Sequence, residues 1–145
     1  TLGGWDTHAN NFTAVGNMAQ NLDKSLATLL RDLERRGMIE ETQVLLTTEF
    51  GRTPFNNKAD APGREHHSWA FSSWMAGAGV KPGIVHGATD EYGIKTEVDP
   101  VHVHDFHATI LHLMGLDHKK LTYRHSGRDF RLTDVFGNVV TEILS

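Results

Sequence analysis

Apolar side chains recur every three or four residues between about residues 12 and 36. This spacing places them on one face of a helix and leaves charged and amide side chains on the other faces. Gly37 follows Arg35 and Arg36, an order typical of a helix C-terminus. The pattern therefore predicts an amphipathic helix that ends at Gly37, with an apolar face formed by Met18, Leu22, Leu26, Leu29, Leu30 and Leu33.

The apolar pattern changes after this helix. Residues 42–48 are β-branched or apolar almost without interruption, which indicates a buried and parallel strand. A strand ending near Leu2 would complete a βαβ unit with them. A third strand is predicted at residues 70–76, a second helix at 101–116, and a short strand-like run near Val139 and Val140. The order of elements predicts an α/β fold in which ligands bind at the carboxyl ends of the strands.

Carboxylates and imidazoles lie where these predicted strands end. Asp6 and His8 follow the first strand, Glu49 follows the second, and His66 and His67 close the long loop before the third. This ligand set suits zinc, with manganese, calcium or magnesium as alternatives. We therefore predict a divalent metal site formed by these five residues.

Two arginines flank the predicted metal ligands. Arg52 and Arg64 carry guanidinium forks that match the oxygens of phosphate or sulfate, so both are candidates for contacts with an oxyanion. The alternative is that both make ordinary surface ion pairs.

Histidine is abundant, with ten residues in the chain. Most of those outside the predicted metal site show no consistent spacing with the carboxylates, and we interpret them as surface or capping residues. They are His86, His102, His104, His107, His112, His118 and His125.

Composition narrows the functional classes. The 145 residues are 39% hydrophobic and 22% charged, which predicts a single globular domain, or a fragment of one, over residues 1–145. The net charge is −4 and Lys or Arg never cluster beyond a pair, so a nucleic-acid partner is not expected. Cysteine is absent, which excludes thiolate ligands and disulfides within the chain. No apolar run approaches the roughly 20 residues of a transmembrane helix.

Several motifs together carry a family resemblance. "GGWDTH", "TTEFGRTP", "GREHH", "HDFHATILHLMGLD" and "HSGRDFRLTDVFG" occur in an order that resembles the C-terminal part of the uncharacterised sulfatase-like family of the alkaline phosphatase superfamily. The resemblance implies a three-layer α/β/α sandwich with a mostly parallel sheet. It also implies a hydrolase of sulfate or phosphate esters of small molecules or carbohydrates, exported to the periplasm or secreted. In such a protein the nucleophile lies in the N-terminal half, so this chain alone is expected to be inactive.

The resemblance also assigns individual residues. Asp6 matches the first metal-binding carboxylate, Glu49 stands in place of the aspartate in an Asp-His pair, and His66 or His67 matches a later loop histidine. Asn10 and Phe50 occupy positions where metal-binding histidines are expected. These two departures leave open an alternative function, a non-catalytic binding or structural domain with a partly eroded metal site.

Overall fold

The computed structural model describes residues 3–56, 59–60 and 62–145. Two helices, α1 and α2, and eight short strands, β1 to β8, account for its regular structure, together with single 3₁₀ turns at Ile39–Glu41 and Thr141–Ile143. In chain order the helices and strands are α1 (Asn11–Arg35), β1 (Val44–Leu46), β2 (Gly51–Arg52), β3 (His66–His67), β4 (Trp74–Ala76), β5 (Ala88–Thr89), β6 (Thr96–Val98), α2 (Val103–Leu113), β7 (Thr122–His125) and β8 (Arg128–Arg131).

The two predicted helices are confirmed, with small differences at their ends. The predicted helix over residues 12–36 is α1, and Gly37 follows its C-cap Arg36 with a φ of 68°. This left-handed conformation is one that glycine adopts readily, as the sequence pattern required. The predicted helix at 101–116 is the shorter α2, which ends before Gly115.

The predicted fold class, a three-layer α/β/α sandwich with a mostly parallel sheet, is wrong. Among the described residues the strands form four separate two-stranded sheets, which pair β1 with β4, β2 with β3, β5 with β6, and β7 with β8. The first, second and fourth pairs are antiparallel. The described part of the chain has strands of two to four residues and two α-helices, which cannot build a layered parallel sheet.

The misread element is the apolar run at 42–48. It does contain a strand, β1, but β1 runs antiparallel to β4, with Val44 opposite Ala76 and Leu46 opposite Trp74. Leu45 is 39% exposed, whereas a parallel strand is normally covered on both faces. An apolar run thus reveals a strand without revealing its partner or direction. The predicted strand near Leu2 lies outside the described residues, and Val139 and Val140 are not in a strand.

The chain divides into two compact units. The first unit comprises residues 1–77 and 89–96, and the second comprises residues 78–88 and 97–145. In the first unit, α1 buries Leu33, and Ala70 is buried just before β4.

The second unit is organised around α2. Ala108 and Thr109 of this helix are almost fully buried. The Thr109 hydroxyl donates to the Asp105 carbonyl at 2.7 Å and accepts from the Val140 amide at 2.9 Å. The Asp105 carboxylate accepts from the Asn138 amide at 2.7 Å. Side chains of α2 therefore hold the C-terminal segment in place.

Strands β7 and β8 form a hairpin that the sequence analysis did not predict. Its register places His125 opposite Arg128, with Ser126 and Gly127 between them at φ 46° and 81°. Two successive positive φ values are typical of the tight turns that join antiparallel strands. The Ser-Gly pair at the turn was the available signal.

Among the described residues, the structure contains no helix that is both long enough and apolar enough to cross a membrane.

Candidate metal centre

The loop that carries Asp6 is fixed in the first unit through Thr7 and the segment that follows Gly63. Thr7 is buried, and its carbonyl accepts from the Arg64 amide at 3.1 Å. Gly63 approaches the backbone of this loop so closely that a Cβ atom there would clash with the carbonyl of His8. The two segments thus lie side by side because a glycine permits the approach.

The antiparallel pair of β2 and β3 brings two further predicted residues to this loop. Arg52 lies opposite His66, and Gly51 lies opposite His67. Neighbouring side chains on a strand point to opposite faces, so only one histidine of the pair can face Asp6. That residue is His66. His67 is buried on the other side, where its Nε2 lies 2.5 Å from the carbonyl oxygen of Ile94.

Asp6, His8 and His66 form the metal-binding geometry that the described residues offer. Asp6 Oδ1 lies 2.9 Å from His66 Nε2 and 3.3 Å from His8 Nδ1. The three potential ligand atoms all lie within 4.8 Å of one another, and all three residues are exposed. Two ring nitrogens and one carboxylate oxygen therefore converge on a point that solvent and a metal ion can reach.

Arg52 makes the shortest contact with Asp6 in the cluster. Its Nη2 donates to Asp6 Oδ1 at 2.6 Å. The hydrogen bond from His66, followed by that from Arg52, lowers the pKa of Asp6 from 3.8 to about 2. Asp6 is consequently ionised throughout the neutral range, as a metal-binding carboxylate must be.

Two residues that were not among the predicted ligands contact the imidazoles. Glu65 Oε2 lies 3.5 Å from Nε2 of His8, the nitrogen that faces away from Asp6. The ring of Phe50 stacks on that of His66, with centroids 5.5 Å apart and an interplanar angle of 18°. A carboxylate on the outer nitrogen of a ligand histidine is a common feature of metal sites, because it fixes the ring's orientation. The position of Glu65 immediately before His66 was the signal in the sequence.

Two other predicted site residues contribute no side chain to the contacts described above. Glu49 is exposed and is not part of the ligand group found among the described residues. Arg64 donates from Nη1 to the carbonyl of Gly63 at 2.8 Å, and its guanidinium lies 5.0 Å from the centroid of the Phe12 ring. The structure therefore brings together Asp6, His8, His66 and Arg52.

The resemblance to the sulfatase-like family of the alkaline phosphatase superfamily is wrong. No sulfatase or alkaline phosphatase family is found for this chain, and short loop motifs in a familiar order were insufficient to identify one. No curated protein and no solved structure matches it. Residues 1–144 do match the family model described as "Protein of unknown function (DUF1501)". The chain belongs to the DUF1501 family of proteins of unknown function.

Proposed function

We propose that Asp6, His8 and His66 bind one divalent metal ion, with zinc preferred, in a hydrolase that acts on sulfate or phosphate esters. The observation that carries the proposal is the convergence of three ligand atoms within 4.8 Å. Two ligands of one zinc ion, each about 2.1 Å from it, are separated by roughly 3.4 Å in a tetrahedral site. The 2.9 Å and 3.3 Å separations from Asp6 Oδ1 need only small adjustments to reach this value.

The three ligands found among the described residues support a catalytic site over a purely structural one. Structural zinc sites use four protein ligands, whereas catalytic sites use three and keep one position open. A metal ion held here would polarise a substrate oxygen and lower the pKa of a bound water. Arg52 adds a guanidinium beside the ligands, and this group matches the oxygens of a sulfate or phosphate ester.

A non-catalytic binding domain is the second candidate. It is favoured by the position of Phe50, whose ring covers one face of His66, and by the absence of Glu49 from the ligand group among the described residues. Such a domain would bind the metal ion without turning over an ester.

Metal content tests the site directly. After zinc loading and dialysis, we expect about one zinc ion per chain by elemental analysis in the wild type, and loss of that zinc in Asp6→Ala and in His66→Ala. Glu49→Gln is the matched control, because it removes an exposed carboxylate charge that was a predicted ligand but does not belong to the ligand group among the described residues. Zinc retained by both alanine variants would contradict the proposal.

Hydrolysis separates the two candidate functions. Hydrolysis of para-nitrophenyl phosphate and para-nitrophenyl sulfate should be measured with the full-length natural protein, before and after a chelator removes its metal ion. Turnover that chelation abolishes and zinc restores supports the hydrolase. Stoichiometric zinc without turnover of either ester supports the binding domain.

A further inference from the structure

Among the described residues, three side chains approach the same carboxylate oxygen of Asp6. Oδ1 receives Nη2 of Arg52 at 2.6 Å, Nε2 of His66 at 2.9 Å and Nδ1 of His8 at 3.3 Å. A metal ion that takes both ring nitrogens must lie on the side of Asp6 where those nitrogens are, and there it meets Oδ1. The arginine and a metal ion therefore require the same oxygen atom.

Simultaneous occupation of Oδ1 by both cations is unfavourable. A guanidinium is permanently charged, so it cannot relieve the repulsion by losing a proton. Two positive charges a few ångströms apart repel each other, and a divalent ion doubles that interaction. The incoming metal ion also withdraws the electron density of Oδ1 that Arg52 now uses. One of the two cations must weaken its contact with Asp6.

Arg52 can leave Asp6 without leaving the site. Its other terminal nitrogen, Nη1, donates to the carbonyl of Arg64 at 3.3 Å, and its side chain is 30% exposed. The backbone of β2 is paired with β3 at this position, opposite His66. A released guanidinium would thus stay beside the histidine ligands, with Nη2 free to donate to another oxygen.

We propose that a metal ion displaces Arg52 from Asp6, and that the freed guanidinium then binds the anionic group of the substrate. This inference rests on the proposed function, since it requires a metal ion at Asp6, His8 and His66. It makes the anion site conditional on the metal: without the ion, Asp6 occupies the arginine, and with the ion, a sulfate or phosphate group takes the place of Asp6.

Thermodynamic linkage gives this exchange a measurable sign. If a bound metal ion raises the affinity for an anion because it frees Arg52, then the anion must raise the affinity for the metal ion by the same factor. Removal of Arg52 must also strengthen metal binding when no anion is present, because the competitor for Oδ1 is gone. If Arg52 instead oriented the ligands without competing for Oδ1, its removal would have the opposite effect. Metal binding would then weaken by about 10- to 100-fold.

Zinc titration by calorimetry, with and without sodium sulfate at matched ionic strength, shows whether removal of Arg52 raises or lowers the affinity for zinc. We expect Arg52→Gln to bind zinc about 5-fold or more tightly than the wild type without sulfate. We expect sulfate to tighten zinc binding by a similar factor in the wild type and to have no such effect in Arg52→Gln.

The matched control is Arg35→Gln. Arg35 Nη2 also lies 2.6 Å from an aspartate oxygen, that of Asp32, but this pair is in the last turn of α1. Arg35→Gln should leave both zinc affinity and the sulfate effect at wild-type values. Arg52→Lys provides a second test if Arg52→Gln fails to fold, because it keeps the charge and loses the fork. It should bind zinc as the wild type does and show a smaller sulfate effect.

The outcomes separate this inference from the proposed function. Zinc binding by the wild type with weaker or unchanged binding by Arg52→Gln overturns the exchange and leaves the metal site intact. An equal sulfate effect in both proteins overturns the exchange as well. A wild type that binds no zinc overturns both proposals.

Discussion

The histidines around Asp6 in the first unit and those of α2 in the second unit make different contacts. In the first unit, His8 and His66 turn ring nitrogens toward one carboxylate oxygen of Asp6. In the second unit, His102 and His107 turn theirs toward the backbone. His102 Nδ1 accepts from the amide of His104 at 3.3 Å as the N-cap of α2, and His107 Nδ1 lies 2.8 Å from a carbonyl oxygen one turn earlier.

This comparison shows that the number of histidines alone does not predict where ring nitrogens and a carboxylate oxygen come together. Three histidines lie within six residues around the start of α2, a denser group along the chain than His8 and His66, which contact Asp6. Asp105 lies among them, but its carboxylate accepts hydrogen bonds from the amides of His102 and Asn138. The chemistry of each group depends on whether a carboxylate is available to the rings or is already occupied by the backbone.

The largest expected effect comes from removing one histidine from each group. His66→Ala should raise the dissociation constant for zinc by about 100-fold or more, because it removes a direct ligand. His107→Ala removes an imidazole bonded to a backbone carbonyl, so it should leave zinc affinity unchanged. Calorimetric titration of both variants measures the contrast. Equal loss of affinity in the two variants would show that the comparison between the units is wrong.

A smaller effect is expected for the helix cap in the second unit. His102→Ala should destabilise the protein by about 1 kcal/mol, because the amide of His104 loses its acceptor at the N-terminus of α2. His102→Asn should retain most of the stability, since asparagine is among the best N-cap residues. Thermal unfolding followed by circular dichroism measures both. A His102→Asn variant as unstable as His102→Ala would argue against a capping role.

The smallest effect concerns acid titration of Asp6. Its folded pKa of about 2 lies below the ordinary value of 3.8, so its ion pairs contribute stability above pH 3.8 and lose that contribution as the pH falls toward 2. Arg52→Gln should move the pKa of Asp6 back toward 3.8, because one of the two hydrogen bonds that lower it is removed. Carbon-13 NMR of the Asp6 carboxyl group reports this shift. An unchanged titration midpoint in the variant would show that Arg52 does not contact Asp6 in solution.

Local pattern was sufficient for the helices. The three- and four-residue spacing of leucines predicted α1, and Gly37 marked its end. The apolar run at 42–48 also contained a strand, but its antiparallel pairing with β4 depends on a segment about 30 residues away. Hydrophobic periodicity carries no information about strand direction or partner. The predicted fold class failed at this step.

The site shows the same contrast between what local sequence predicts and what long-range pairing decides. The structure brings Asp6, His8 and His66 together. Side-chain chemistry had predicted five ligands, namely Asp6, His8, Glu49, His66 and His67. His66 and His67 are equivalent in the sequence, and only the pairing of β2 with β3 assigns them to opposite faces. Whether the three clustered residues hold zinc, and whether an ester is hydrolysed there, stay predictions.

The sequence by itself determined which ligand types this protein has and which segments are helical, because both depend on side-chain chemistry and spacing along a few turns. Only the tertiary structure decided that Arg52 shares one oxygen of Asp6 with two imidazoles. Asp6 and Arg52 are 46 positions apart, and Asp6 and His66 are 60 apart. Contacts over such separations arise from chain packing, which the local pattern of hydrophobic and polar residues does not encode.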